Sequence, residues 1–323
     1  MNYYSTEKRN RVLPEKPAMA ITFVICLICW GISYFHSEGL PISSKILIYK
    51  EIAYIVGLLA VLTVGFVIQR INDLEMFVRE RTRLPFMLFL LFFSTNAGLL
   101  PASEATIVIV CMVAFLYELF KSYQIPEATI RFFNASVYLG FAGLFVPQIL
   151  FFVPLMWVGM YHFRVLELKS FLASLTGVMT VYWILLAWCV WTGDFSIYTG
   201  CYKELIHFNF FSVKSLFQYH GLALSGILIL TVISCFYVKI DSFSNNVRTR
   251  MMLSFLINIS VLSVILIFLY GDKADILQAV LYLSDAVLIA YFFTTAKIRA
   301  KLVLYYFMLI LLLFSFISSL WSF

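Results

Sequence analysis

The chain has 323 residues, of which 63% are hydrophobic and 12% charged, whereas a soluble domain carries about 25% charged residues; with a mean hydropathy of +0.95, this excludes a water-soluble fold. The net charge of +6 would suggest nucleic acid in a soluble protein. Here the cations sit in short loops between apolar runs, where they report membrane topology and leave no nucleic-acid footprint.

Residues 1–17 form a polar tail bearing Lys8, Arg9, Arg11 and Lys16, followed by an apolar run over 18–35. No small-x-small cleavage site follows, so an uncleaved first span is expected, with the tail in the cytoplasm. Further apolar runs bounded by charge lie near 52–69, 84–100, 105–120, 134–146, 148–161, 171–192, 219–238, 251–270, 276–296 and 302–320. They are continuous and rich in Leu, Ile and Phe, without the period-two alternation of a membrane barrel, and only helices satisfy their backbone in lipid. The expected fold is therefore all-α, a polytopic transmembrane helical bundle of about 11 spans in a single domain over 18–323.

Charge sets the orientation. With the N-terminus cytoplasmic, only Lys45, Lys50, Lys203, Lys214 and Lys273 of the 23 Lys and Arg residues fall outside, a strong positive-inside bias. Pro147 and Gln148 divide the stretch 134–161, which is long for one span and short for two. A single crossing there would shrink the bias to 13 against 10, so the stretch must return to its starting side as two short spans or a re-entrant hairpin. The total of 11 spans then puts Phe323 outside.

Most loops are short, but 192–218 is longer. At 100° per residue from Glu204, Leu205, Ile206, Phe210, Val213, Leu216 and Phe217 share one arc, and Glu204, His207, Ser212, Lys214, Ser215 and Gln218 the other. This predicts an amphipathic helix near 204–218 on the outer surface. A smaller basic counterpart is expected on the cytoplasmic side over 70–83, suited to anionic headgroups.

Asp285 is the one acid near the centre of a span. A charge there costs on the order of 3 kcal/mol, which makes it a functional-site candidate, here for substrate binding. The competing reading is a packing contact with Ser284 or Asn258. Asn258 is thus a second candidate for substrate binding, while Asn96, Asn134 and Gln148 suit interhelical hydrogen bonding. On the outer helix His207, with Glu204, could act as a base that activates an acceptor hydroxyl, and Lys214 could contact a phosphate, as in transfer from polyprenyl carriers; the competing reading is the solvated face of an interfacial helix. Cys26 and Cys29 form a CxxC inside an apolar run, which favours packing over zinc. No P-loop, HExxH, GxSxG or dinucleotide fingerprint occurs in a suitable context, and no cofactor or metal is required.

Gly140 and Gly143, Pro147, the run Pro154 to Trp157, Arg164, Lys169 to Phe171 and Gly177 leading to Tyr182 form a pattern, with Arg79 to Pro85 and the basic turn 297–301 fitting around it. In these features the chain resembles an uncharacterised family of polytopic bacterial inner-membrane proteins, known mainly from Bacteroidetes as a domain of unknown function. The resemblance implies the bacterial inner membrane and a multi-pass fold, and brings no assigned site residue. Three roles are open: handling of cell-envelope glycans or lipid-linked substrates at the outer face, a non-catalytic scaffold within a larger complex, and transport of a small solute or lipid. The expected partners are membrane lipids, with a lipid-linked substrate or other inner-membrane proteins as candidates.

Overall fold

A computed structural model describes residues 15–36, 49–78, 82–125, 128–210, 219–296 and 301–321. Those residues form twelve α-helices: α1 Glu15–His36, α2 Lys50–Glu75, α3 Leu84–Ser94, α4 Glu104–Lys121, α5 Thr129–Phe145, α6 Phe152–His162, α7 Leu168–Thr192, α8 Ser196–Ile206, α9 Tyr219–Asp241, α10 Val247–Leu269, α11 Ala274–Thr295 and α12 Lys301–Trp321. Among the described residues the only β-type pairing is an isolated bridge between Asn209 and Tyr270. Five stretches, Lys50–Glu75, Leu168–Thr192, Leu224–Asp241, Val247–Leu269 and Gly271–Thr295, are helices long and apolar enough to cross a membrane. The protein is thus an all-α chain with the composition of a membrane bundle.

Three elements differ from the pattern read in the sequence. The run over 84–100 holds a helix of only 11 residues, α3, about 16 Å long. It ends because Asn96 turns extended and its side chain accepts the Gly98 N–H at 3.2 Å, starting a separate 3-10 turn over Ala97–Leu99; Asn96 is a cap, not a mid-span polar residue. The basic segment after residue 70 is not a separate surface helix either, since α2 continues to Glu75 and stops where Met76 takes a left-handed conformation at φ 49°; residues 79–81 lie outside the described set. Finally, α5 starts at Thr129 and carries Arg131 in its first turns. A long cationic side chain can extend from a helix end to the interface, so its charge does not have to bound the helix.

The chain gathers into two compact units. The first holds residues 1–103, 212–249 and 281–323; the second holds 104–211 and 250–280.

In the first unit α3 is enclosed on all sides, with Leu88 to Phe93 at most 1% exposed. Its Phe92 ring meets Tyr282 of α11 at 5.6 Å, and its Ser94 hydroxyl lies 2.9 Å from Cys26 Sγ and accepts the Trp30 indole N–H at 3.3 Å. Cys26 and Cys29 are both buried and free, so the CxxC serves packing. Gly57 brings α2 against the segment after α3, where the Ala102 N–H donates to the Ala53 carbonyl at 3.0 Å; a Cβ at Gly57 would stand 3.0 Å from both Ala102 N and Leu100 O.

In the second unit, the contacts of three glycines give the direction of α5 against α7. Gly177 faces Phe133 and Ser136, Gly140 faces Val178 and Val181, and Gly143 faces Tyr182. Residue numbers rise together on both helices, so α5 and α7 run parallel. The chain between them must therefore travel back, and residues 147–162 do so as a 3-10 turn followed by α6, about 26 Å in all. This is the return that the charge distribution demands of 134–161.

Candidate functional site

Of the described candidates from the sequence, Glu204 and His207 lie at one end of the second unit. Of the amphipathic helix expected over 204–218, the described residues show 204–206 as the end of α8, Ser196–Ile206. Its start is set by Asp194, whose carboxylate accepts the Ser196 N–H at 2.8 Å and is held below its usual pKa by that bond, a favourable arrangement at a helix N-terminus. Its end is set by pairing with the α10–α11 turn. Residues 207–210 leave the helix, Asn209 bridges to Tyr270, and the Asn209 carbonyl accepts the Gly271 N–H at 2.7 Å. The apolar arc drawn through Phe210 thus reflects strand-like pairing, and the rest of the predicted helix, including Lys214, lies outside the described residues.

Around this junction the polar groups are closely connected. Asn209 donates its amide to both oxygens of Asp272 at 2.8 Å, and the Tyr270 hydroxyl donates to the Leu205 carbonyl at 2.7 Å. Burial pushes the Tyr270 phenol up in pKa, and the rings of Phe151 and Phe208 enclose it at 6.2 and 5.4 Å. Lys273 stands between two carboxylates, 3.6 Å from Glu104 and 3.9 Å from Glu204. These three side chains are partly exposed, so the ion pairs contribute little individually. Their joint effect is to fix the end of α8 above α4 and the α10–α11 turn.

Beneath α8 the accounting of polar groups does not close. Gln148 is 2% exposed; its amide donates to the Glu204 carbonyl at 3.4 Å, while its Oε1 has no hydrogen-bond partner. The buried hydroxyl of Tyr182 on α7 is also without one. It rests over Gly143, 3.0 Å from where a Cβ would stand, and within electrostatic reach of Cys201, Tyr202 and Tyr198 of α8. A buried polar group left unpaired costs about 1–3 kcal/mol, so such groups call for an explanation. The other unpaired buried atoms among the described residues are Gln69 Oε1, Glu75 Oε2, Ser234 Oγ and Ser263 Oγ. Gln69 and Glu75, like Gln148, are bonded through their second polar atom, and the two serines stand on separate helices. Gln148 and Tyr182 differ in sharing one neighbour, α8. That helix presents further phenols: Tyr202 donates to Tyr198 at 3.1 Å, and this bond, with burial, pushes the Tyr202 pKa up to about 12.

Not all the sequence candidates join this cluster. Glu204 is in it through Lys273. His207 terminates α8, its N–H donating to the Lys203 carbonyl at 3.0 Å and its side chain exposed. Asp285 is elsewhere, fully buried on α11 in the first unit, where the Thr231 hydroxyl of α9 donates to its carboxylate. Ser284, the neighbour expected to bond it, donates instead to the Leu281 carbonyl at 3.0 Å, and Asn258 stands half-buried on α10. Tyr182 and Gln148 were not read as a pair from sequence; the nearest signal was Gly143, whose missing side chain makes room for the phenol. No three His, Cys, Asp or Glu side chains among the described residues come together as a metal site.

Comparison of the chain with protein-family models, with curated proteins and with solved structures finds no match.

Proposed function

We propose that the chain is a multi-pass protein of the bacterial inner membrane, with a cytoplasmic N-terminus and about 11 spans, that binds a lipid-linked cell-envelope substrate at its outer face. The positive-inside bias supports the orientation; on that orientation Glu104, Lys273 and Glu204 all fall outside, in agreement with their pairing. The antiparallel return of residues 147–162 supports an even number of crossings within 134–161.

One observation carries the substrate reading. Gln148 and Tyr182 hold open hydrogen-bonding capacity under an interfacial helix whose rim carries Lys273 and two carboxylates. A ligand that donates a hydroxyl to the Gln148 Oε1 and offers a hydroxyl or phosphate oxygen to the Tyr182 O–H at headgroup depth, with an apolar tail in the bilayer, satisfies both. In this reading Tyr182 and Gln148 bind, Lys273 and Glu204 set the charge at the entrance, and Lys214 supplies a second cation. His207 serves as base if transfer chemistry follows binding.

The alternative, a non-catalytic scaffold, draws on α7, whose apolar window is only 22% buried and leaves Trp183, Trp188 and Trp191 exposed. The transport reading loses ground because the Asp285 carboxylate is sealed and bonded to Thr231.

The test is the surface-glycan and lipid-carrier profile of a deletion strain complemented at matched expression. Wild type should restore the profile, and the double variant Gln148→Leu/Tyr182→Phe should not. Loss of rescue by His207→Ala as well adds chemistry to binding. A profile untouched by the deletion, or rescued equally by the double variant, favours the scaffold.

A further inference from the structure

At the opposite end of the second unit, away from α8, a cavity of about 290 Å³ opens among Gln124, Ile125 and Ala128 near the start of α5 and Arg164, Val165 and Glu167 near the start of α7. Its size is at the lower limit for small-ligand sites, about 300–1,000 Å³, enough for a headgroup. Its polar lining comes from Gln124, Arg164, Glu167 and Ser170.

Two features mark it as more than a gap between loops. The first is backbone strain. Gln124 and Arg164 both hold left-handed conformations, at φ 52° and 57°, where glycine is the usual occupant. At Arg164 the turn is a helix-capping one, with the Val165 N–H donating to the Met160 carbonyl at 3.1 Å. The turn thus places a charged side chain at a position where glycine is the less strained residue. The second is unused polarity. Ser170 is 2% exposed, and it lines the cavity without a protein partner for its hydroxyl among the described residues. Arg164 and Glu167, opposite in charge and lining the same space, form no ion pair with each other. The N-termini of α5 and α7 also border the cavity through Ala128 and Glu167, adding partial positive charge.

We infer that this cavity binds a zwitterion carrying a phosphate and an ammonium group, the chemistry of a phosphoethanolamine headgroup. The phosphate lies between the Arg164 guanidinium, the Ser170 hydroxyl and the two helix N-termini, and the ammonium group faces Glu167. A purely anionic headgroup would leave Glu167 repelling it, so the arrangement selects for the zwitterion. The cavity lies where α7 begins, which on the orientation proposed above is headgroup depth in the cytoplasmic leaflet. The site is chemically independent of the one beneath α8, and its test reads a different ligand.

The full chain is purified from nanodiscs containing equal parts of phosphatidylethanolamine and phosphatidylglycerol, and retained lipid is counted by native mass spectrometry. The ethanolamine lipid should be retained about tenfold over the glycerol lipid, the scale of one charge-assisted contact. Glu167→Gln should abolish the preference while retaining lipid. Arg164→Gly should lose retained lipid altogether with an unchanged or raised melting temperature, because glycine suits the backbone at that position. Displacement by millimolar glycerophosphoethanolamine identifies the headgroup alone as sufficient; retention against it identifies the intact lipid. Equal retention of both lipids by wild type, or a preference unaltered in Arg164→Gly, overturns the inference.

Discussion

Helices α7 and α11 have nearly the same hydropathy, 1.7 over Leu168–Thr192 and 1.8 over Gly271–Thr295, yet their apolar windows are 22% and 94% buried. Every residue of α11 from 277 to 293 is enclosed, whereas Trp183 and Trp191 of α7 are 75% and 88% exposed. Hydropathy says that each can cross a bilayer, but not what surrounds it, because lipid tails and apolar side chains are equally apolar neighbours. The difference lies in polar and small residues. The enclosed helix carries Gln278, Ser284 and Asp285 with Ala279, Ala286 and Ala290; the exposed one concentrates its small and polar groups, Ser170, Ser174 and Gly177, along the stripe that is buried.

The sharpest way to break this comparison is to block the closest of the glycine contacts that hold α7 against α5. A side chain at Gly177 would overlap the Ser136 hydroxyl and come within 2.6 Å of the Phe133 carbonyl. Gly177→Leu should destabilise the protein by about 1–3 kcal/mol or more, read as a lower midpoint of denaturation in detergent. A smaller effect is expected within the enclosed set: Thr231→Val removes a donor from the buried Asp285 carboxylate and should cost about 1 kcal/mol, the scale of interhelical hydrogen bonds in membranes. On the exposed face, Trp183→Leu should change stability by no more than about 0.5 kcal/mol. A large loss there would mean that α7 is covered by protein in the native assembly and would strengthen the scaffold reading.

Much of the architecture is legible in the sequence because charged residues punctuate it. The boundaries of α4, α9, α10 and α12 fall within a few residues of the apolar runs, and the demand that 134–161 return to its own side follows from counting Lys and Arg. What is not legible depends on distant partners. The stop at Ser94 needs the Asn96 cap, a local signal hidden inside an unbroken apolar run. The pairing of Asn209 with Tyr270 joins positions 61 residues apart, and it turns what reads as a helical arc into an extended segment. Lys273 likewise reads as a lone outer cation until Glu104 and Glu204 are brought to it. Asp285 stood out because acids are rare in spans, yet its partner Thr231 is an unremarkable residue 54 positions away. The reverse holds for Gln148 and Tyr182, which are ordinary in sequence and conspicuous only once their open valences are seen in the fold.

The account rests on those two side chains being kept for a ligand and not for the fold, and Tyr182→Phe separates the alternatives. The measurement is unfolding stability of the purified chain together with its retention of a long-chain polyprenyl phosphate in native mass spectrometry. Removing an unpaired buried hydroxyl should leave the ligand-free protein as stable as wild type or more stable by about 1 kcal/mol, while retention of the lipid falls about tenfold. A variant that is less stable but retains the lipid as wild type does would show that Tyr182 serves the fold and would contradict the binding site beneath α8.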